Sequence, residues 1–354
     1  MDVQVVQFRH MLPKFLFPGR KRVGEDLLNE RYEAGVKTYD FLDWFNPFSW
    51  ARAFAITRKA DAVILPWWTS SVAHMYFFIE LLHRKKKIII IEYHEAIDPL
   101  EDSIFLLSLY AKLMGKIIPS LACRYVAHTK FDRDLITGRY HLPEDKISII
   151  PHGLYDQYKK IGRSEAKEAL GIKEEYVILF FGLLRPFKGV RYLIEGFEGI
   201  PKELMSKTRL CIVGEAWEDR VSVERAKKSK YRDNITVVDR YISDDEVSLY
   251  FSASDVFVAP YTRESHDPSA VAHIAMSYGM PVIASRVGGI KESLGTYEGT
   301  VFVGPENPGE IAKAIQDLNG NSERYPVPAE LRWNVIAQQW DDLIRTILQE
   351  GCGP

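Results

Sequence analysis

The sequence predicts an α/β protein built from two doubly wound domains, each with a parallel sheet. Three observations support this prediction. About eleven short Val- and Ile-rich runs alternate with amphipathic helical stretches through most of the chain. The runs are continuously apolar, as in parallel strands that helices cover on both faces. One open sheet in one domain rarely holds so many strands, so we expect two sheets.

The predicted strands fall into two series, separated by a polar segment. The first series is Val3–Phe8, Ala62–Leu65, Ile88–Glu92, Arg124–Ala127 and Ile147–Ile150. The second is Val177–Phe181, Arg209–Val213, Ile235–Val238, Val256–Ala259, Val282–Ala284 and Thr300–Val303. The break lies at Pro151-His152-Gly153 and the polar stretch that follows. We therefore predict a first domain of residues 1–155 and a second of 156–329, before a last helix that could pack on either domain.

Length and composition exclude several classes of protein. A chain of 354 residues fits about two domains, and a net charge of -2 gives no general reason to expect nucleic acid as a partner. The start, MDVQVVQFRHML, lacks the pattern of a signal peptide, so we expect a cytoplasmic protein. The most apolar window, 104–122, is interrupted by Lys112 and Lys116. It is too short to span a bilayer and suits a half-buried helix or a helix resting on a membrane face.

The segment after the strand Val177–Phe181 has the composition of a phosphate site. Gly182 is followed by Arg185, Lys188 and Gly189, and then by a helical stretch. An arginine offers paired planar donors, a lysine offers a point charge, and glycines allow close approach. Neither a Walker loop nor a Gly-x-Gly-x-x-Gly pattern follows any strand. The alternative is a surface loop with two solvated cations.

A second candidate anion site is the start of the helix near Ser269. The first turn of a helix carries unpaired N–H groups and the positive end of the dipole, so it attracts phosphates. However, Asp267-Pro268-Ser269 is also a good N-cap sequence with proline at the first helical position. A self-capped structural helix is therefore the alternative interpretation.

His94 is the candidate of the first domain, because it follows the predicted strand Ile88–Glu92. Ligands bind outside the carboxyl ends of parallel strands, and such edges can line a cleft between domains. His94-Glu95 lacks the second histidine of a zincin motif, so we expect no metal site. A purely structural histidine is the alternative.

Taken in order, several segments resemble the retaining glycosyltransferases of the GT-B fold. The resemblance is strongest from Ile149 to Glu292 and is looser in the first 150 residues, at EYHE and VAHTKFDRDLI. It runs through IIPHG (149–153), ILFFGLLRPFKGVRYLIEGF (178–197), LCIVGE (210–215), YISDDEVSLYFSASDVFVAPY (241–261) and AMSYGMPVIASRVGGIKE (275–292). It implies two Rossmann-like domains that face each other across a cleft. WNVIAQQWDDLI (333–344) resembles the closing helix of the family, which implies a helix at about 330–350 that returns to the first domain.

The resemblance also implies roles for particular residues. Arg185 and Lys188 would hold the donor diphosphate, with Gly182 beside them, and His94 would touch the donor sugar or support the transition state. The nucleotide would contact the backbone near two pairs of residues, Gly214-Glu215 and Tyr241-Ile242. Sugar and diphosphate would also meet the loop and helix start that contain His266, Asp267, Ser269 and Ala270.

The sequence departs from the family at the pair usually written Glu-x7-Glu. These positions fall on His266 and Ile274, and isoleucine cannot bond a ribose. The sugar-facing loop, usually Glu-Gly-Phe-Gly, reads His266-Asp267-Pro268-Ser269, where the proline removes one backbone donor. Ser269-Ala270 is similar to a small pair found in members with a degenerate second glutamate. The usual arginine two residues after Phe181 is Leu183, and Arg185 is expected to replace it.

The function that the resemblance implies is metal-independent transfer of a hexose from a nucleoside-diphosphate sugar to an acceptor hydroxyl, with retention. No cofactor is expected. The acceptor would be a glycan, a polysaccharide or a lipid-linked sugar. The alternatives are a non-catalytic GT-B partner protein and a nucleotide-sugar 2-epimerase. Aromatic and cationic residues at 8–22, the cations at 84–87 and the apolar helix could form a peripheral membrane face, or simply a solvated surface.

Overall fold

The computed structural model describes residues 2–10, 32, 35–83, 88–95, 105–117, 122–263, 269–321 and 323–351. The chain forms two compact units. The first domain comprises Met1–Pro151 with Ile336–Pro354, and the second comprises His152–Val335. Each domain is an α/β unit with parallel sheets, which confirms the predicted fold class.

The first domain contains two parallel sheets, β1-β2 and β3-β4-β5-β6. Its strands are β1 Gln4–His10, β2 Lys37–Asp43, β3 Ala62–Trp67, β4 Ile88–Tyr93, β5 Arg124–Ala127 and β6 Ile147–Ile149. Its helices in the described residues are α1 Pro47–Thr57, α2 Ala73–His83, α3 Phe105–Ile117 and α4 Lys130–Tyr140. Every predicted strand of the first series is present, with ends that differ by at most two residues.

Strand β2 has no counterpart in the prediction, because its sequence lacks an apolar run. KTYDFLD carries three charged residues, and only Leu42 of the strand is buried. The strand pairs in parallel with β1 alone, so one edge is left without a partner strand in the described residues. A sequence search for continuously apolar runs therefore passes over it.

The second domain has one six-stranded parallel sheet with the order β12-β11-β10-β7-β8-β9. The strands are β7 Tyr176–Phe181, β8 Thr208–Val213, β9 Ile235–Val238, β10 Val256–Ala259, β11 Val282–Ser285 and β12 Thr300–Val303. The helices are α5 Arg163–Ala169, α6 Val190–Glu198, α7 Lys202–Met205, α8 Arg220–Lys228, α9 Asp244–Ala253, α10 Ala270–Ser277, α11 Gly288–Ser293 and α12 Pro308–Asp317. Strand order reverses between β7 and β10. In open parallel sheets, ligands bind at such a switch point, outside the carboxyl ends of the strands.

The last helix, α13, spans Trp333–Glu350. From Ile336 onward it belongs to the first domain. Its residues Ile336, Ile344 and Ile347 share a buried cluster with Ile90 of β4 and Val126 of β5. Burial of this apolar stripe stabilises the helix against the first-domain sheet.

None of the helices in the described part of the chain combines the length and the apolar composition that a bilayer-spanning helix needs. Helix α3 begins and ends inside the predicted apolar window. Four of its apolar side chains are more than half exposed: Phe105, Leu106, Leu109 and Leu113.

Candidate functional site

The loops that follow β7 and β10 come together at the switch point of the second domain. The N–H of Thr262, after β10, donates to the carbonyl of Phe187, after β7, at 2.8 Å. The start of α10 also reaches the β7 loop, because a Cβ at Gly182 would lie 3.4 Å from Val271 Cγ2. Gly182 has φ +119°, a backbone conformation that favours glycine. The chain thus brings both predicted phosphate-binding segments to one edge of the sheet.

Gly189 allows the loop after β7 to pack closely against the loop after β10. It has φ +68°, and a Cβ at this position would lie 1.9 Å from the carbonyl oxygen of Pro260. We expect Gly189→Ala to lower the free energy of unfolding of the second domain by roughly 3 kcal/mol or more, through backbone strain and the clash. Urea unfolding of the variant and of the wild type measures the difference.

Gly171→Ala is the matched control for Gly189→Ala. Gly171 has nearly the same φ, +66°, but nothing lies within 4 Å of a Cβ there. This variant should therefore lose only the ~1 kcal/mol that a left-handed alanine costs. Equal losses in the two variants would show that the two loops do not depend on close approach at Gly189.

Arg185 is the buried cation of this edge. Its side chain is only 8% exposed, and its Nε lies 3.5 Å from Oε2 of Glu218, in the loop after β8. The guanidinium also lies over the ring of Phe187, at 4.6 Å from the centroid. Contacts with Glu218 and Phe187 hold the arginine at the sheet edge. Its role as a diphosphate ligand stays a prediction. Glu218 was not predicted, because a single glutamate in a polar loop gives no signal.

Lys188 is the last residue of the short 3-10 turn Pro186–Lys188, and Arg185 is the N-cap residue of that turn. Its Nζ is 4.0 Å from the ring centroid of Tyr261 and 5.0 Å from that of Phe187. Such cation–π contacts hold an ammonium group without neutralising its charge. Among the residues that the structure describes, no carboxylate forms an ion pair with Lys188. The lysine therefore offers a positioned positive charge at the edge.

The loop after β8 is joined to the loop after β7 by backbone contacts. Leu184 N donates to Glu215 O at 3.0 Å, and Trp217 N donates to Leu184 O at 3.1 Å. Gly214 has φ +141°, and a Cβ there would lie 2.0 Å from the carbonyl oxygen of Gly182. The predicted nucleotide residues Gly214 and Glu215 therefore lie next to the predicted diphosphate loop.

The other predicted nucleotide pair follows β9, the neighbour of β8. Tyr241 is 46% exposed, whereas Ile242 is 7% exposed and belongs to the core. Asp239, just before them, accepts a hydrogen bond from Ala216 N at 2.8 Å and also pairs with Arg220. The loops after β8 and β9 are thus tied together. Tyr241 is thus partly open to solvent, whereas Ile242 is buried.

Ser269 is the N-cap residue of helix α10, which begins at Ala270 and so starts later than a cap at Asp267 would place it. The Ser269 hydroxyl accepts from Ala272 N at 3.3 Å and lies 2.6 Å from the Tyr261 hydroxyl. Because the Ser269 side chain is buried and engaged in this way, its contribution to an anion site would come from its backbone. Ala270, at the first helical position, is exposed. His266 and Asp267, predicted to face the sugar, lie outside the described residues.

Ile274, at the position of the family's second glutamate, is a core residue that is only 6% exposed. It packs in the same buried cluster as Leu179 of β7 and Phe251 of α9. The departure seen in the sequence therefore coincides with an apolar environment, in which a carboxylate would be costly to bury.

His94 lies in the first domain, directly after β4. Its ring stacks on that of Trp68, with centroids 4.1 Å apart and planes 2° from parallel. Its Nε2 lies 3.2 Å from Glu92 Oε2, and its backbone N–H donates to Trp67 O at 3.0 Å. These contacts fix the orientation of the imidazole at the carboxyl end of β4. Its predicted role at the donor sugar stays a prediction.

A second histidine shares the carboxylate that holds His94. His128, buried after β5, donates from Nδ1 to Ile150 O at 2.9 Å, and its Nε2 lies 3.9 Å from Glu92 Oε1. Burial acts to raise the pKa of Glu92. The hydrogen bond from His94 and the charges of both histidines outweigh it, so the pKa of Glu92 lies below its ordinary value. Glu92 therefore stays ionised. The sequence did not indicate this pairing, because the histidines are far apart in the chain.

The predicted membrane face is only partly described. The cations at 84–87 and the residues at 11–31 lie outside the described residues. Phe8-Arg9-His10 forms the end of β1, where His10 Nδ1 lies 3.0 Å from Asp43 Oδ2.

The fold matches that of solved sugar transferases. The crystal structure of HepE of Anabaena in complex with UDP and glucose aligns with a TM-score of 0.69 at 16% identity, over 98% of both chains. At this identity the likeness concerns the fold, which is the GT-B fold. Residues 175–321 match the family model described as "Glycosyl transferases group 1". This part of the second domain is therefore similar to the group 1 glycosyltransferases, as the sequence motifs indicated.

Two curated relatives extend the likeness beyond the second domain. An uncharacterized glycosyltransferase of Methanocaldococcus jannaschii is 26% identical over 233 residues, which are 62% of this chain. A lipopolysaccharide 1,2-N-acetylglucosaminetransferase of Salmonella typhimurium is 24% identical over 225 residues, which are 58% of this chain. In both cases the match spans 58% of the relative's length.

Proposed function

We propose that the protein transfers a hexose from a nucleoside-diphosphate sugar to an acceptor hydroxyl, with retention and without a metal ion. The observation that carries the proposal is the pair of cations, Arg185 and Lys188, at the switch point of the second-domain sheet. The match to group 1 glycosyltransferases supports it. The structurally similar HepE of Anabaena has been crystallised in complex with UDP and with UDP-glucose, which supports a nucleotide-sugar donor.

The cations would act on the leaving group. As the bond from the anomeric carbon to the diphosphate oxygen breaks, negative charge grows on the diphosphate and the sugar becomes oxocarbenium-like. The acceptor oxygen then bonds to the anomeric carbon on the same face, and its proton goes to the departing diphosphate. Arg185 and Lys188 are already in place, so they stabilise that charge without reorganisation. They take the part that a metal ion plays in other sugar transferases.

A ligand panel tests the donor class. UDP, GDP, ADP, CDP and dTDP are each added to the protein in the presence of EDTA, and thermal unfolding is followed. A ligand at ~100 times its dissociation constant stabilises by about 2.7 kcal/mol, which gives a readable shift of a few degrees. We expect one nucleotide to raise the melting temperature with EDTA present. A shift that requires added Mg²⁺ or Mn²⁺ would contradict metal independence.

A non-catalytic GT-B partner protein is the second candidate, and the buried Ile274 favours it. This side chain cannot contact a ribose from the core. Such a protein would bind a nucleoside diphosphate and yet neither transfer nor hydrolyse the sugar of the corresponding donor. Incubation with the matching nucleotide sugar, followed by measurement of released nucleoside diphosphate, separates the two candidates.

For the acceptor we propose a glycan or a lipid-linked sugar, reached at a membrane surface that helix α3 contacts from the cytoplasmic side. The exposure of Leu109 and Leu113 supports this, because apolar side chains on an amphipathic helix bind the membrane–water interface.

The protein should co-sediment with anionic vesicles, and the double variant Leu109→Ser with Leu113→Ser should bind them about tenfold more weakly. Val221→Ser removes an even more exposed apolar side chain from the second domain and should leave binding unchanged. Unaltered binding by the double variant would refute the contact.

A further inference from the structure

Glu218 occupies a position between two fixed points of the second domain. On one side, the Trp217 N–H donates a hydrogen bond to Leu184 O at 3.1 Å. On the other, Asp219 caps α8, where its carboxylate accepts from Ser222 N at 3.0 Å and from the Ser222 hydroxyl at 2.6 Å. The chain between these anchors has little freedom. The backbone of Glu218 must therefore adopt the conformation that joins Trp217 to Asp219.

That conformation is one that residues with a side chain avoid. Glu218 has φ +108°, beyond the left-handed helical region that other non-glycine residues visit. Strain of this kind costs on the order of 1–3 kcal/mol and concentrates at ligand-binding sites. A glycine would relieve it, yet the chain has a glutamate here.

The glutamate side chain is directed at the buried cation of the site. Its Oε2 lies 3.5 Å from Arg185 Nε, and its carboxylate is 25% exposed, whereas the arginine is 8% exposed. A diphosphate that binds Arg185 would meet this carboxylate at short range. Two like charges so close repel strongly in a partly desolvated setting, so the ligand and Glu218 compete for one guanidinium.

We propose that Glu218 is an internal competitor for the diphosphate site, which weakens binding of the nucleoside diphosphate and so promotes its release. The inference rests on the proposed function, since it assigns a regulatory role at the same site. A free nucleoside diphosphate bears one more ionisable phosphate oxygen than the nucleotide sugar from which it forms. The carboxylate therefore weakens the product complex more than the donor complex. Glu218 is a positioning residue, because it acts on the ligand through Arg185.

The test measures dissociation constants by isothermal titration for wild type, Glu218→Gln and Glu218→Gly. The ligands are inorganic pyrophosphate, the nucleoside diphosphate selected by the panel, and its nucleotide sugar. We expect Glu218→Gln to bind the nucleoside diphosphate and pyrophosphate about tenfold more tightly, and the nucleotide sugar by a smaller factor. Glu218→Gly, which also removes the backbone strain, should tighten binding at least as much.

Glu224→Gln is the matched control, because Glu224 is an exposed glutamate of α8 that pairs with Lys227 instead. Its affinities should equal those of the wild type. If the wild type binds and Glu218→Gln binds equally or more weakly, the inference is wrong and the proposed function stands. If Glu218→Gly binds the ligands more tightly but Glu218→Gln does not, then backbone strain and not the carboxylate charge weakens binding, which would also contradict the inference. If no variant binds any of these ligands, the proposed function itself fails.

Discussion

Lys188→Ala is expected to lower the rate of sugar transfer by a factor of 10² to 10³, the cost of losing one positioned charge at a developing anion. The lysine lies 4.0 Å from the Tyr261 ring and has no carboxylate partner in the described residues, so its charge is available to the leaving diphosphate. Its removal deletes no buried hydrogen bond, and the unliganded melting temperature should therefore change little. Initial rates of nucleoside-diphosphate release from the identified donor give the measurement.

Lys230→Ala provides the control for Lys188→Ala. Lys230 also lies over a tyrosine ring, with Nζ 4.8 Å from the centroid of Tyr231, but it follows α8 and is exposed. Loss of that cation–π contact should leave the transfer rate within a factor of two. Transfer by Lys188→Ala at the rate of Lys230→Ala would remove the lysine from the proposed mechanism.

Glu80→Leu is expected to stabilise the first domain increasingly as pH rises, by about 4 kcal/mol more at pH 8 than at pH 5. Glu80 of α2 is 1% exposed, and neither carboxylate oxygen has a hydrogen-bond partner in the described residues. Burial raises the pKa of Glu80 to about 9. The folded state therefore keeps its proton to higher pH than the unfolded state does. The stability that this proton provides is complete below about pH 4.5 and is lost as pH rises through about 9.

Urea unfolding at pH 5 and at pH 8, followed by tryptophan fluorescence, measures this difference. Glu168→Leu serves as the control, since Glu168 is an exposed glutamate of helix α5 in the second domain. Its effect should be the same at both pH values. Parallel pH dependences of stability for the wild type and Glu80→Leu would show that Glu80 does not titrate across this range.

The parallel strands could be predicted from the sequence, because a strand that is buried on both faces consists mainly of consecutive apolar residues. Strand β4, Ile88–Tyr93, opens with four consecutive isoleucines and is the second strand of its sheet. Strand β2 was missed because most of its residues are not buried and its sequence has no apolar run. The cations Arg185 and Lys188 were predictable because they follow a strand beside glycines.

The partners of these residues could not be predicted, because they depend on tertiary packing. Glu218 reaches Arg185 from another loop, and Tyr261 supports Lys188 from the far side of the switch point. His94 and His128 meet at one carboxylate although 33 intervening residues separate them in the chain. The N-cap of α10 is a local choice between Asp267 and Ser269, and spacing alone does not decide it.

The joined loops after β7 and β8 make the framework of the proposed donor site out of main-chain atoms. Leu184 bridges to Ala216 as if the sheet continued, and Gly214 closes on Gly182. Such a framework requires glycine at the positions of close approach, but it restricts the identity of few neighbouring side chains. Donor preference can therefore change by exchange of side chains on an unaltered scaffold. The same tolerance is consistent with sequence relatives in which three quarters of the aligned residues differ from this chain.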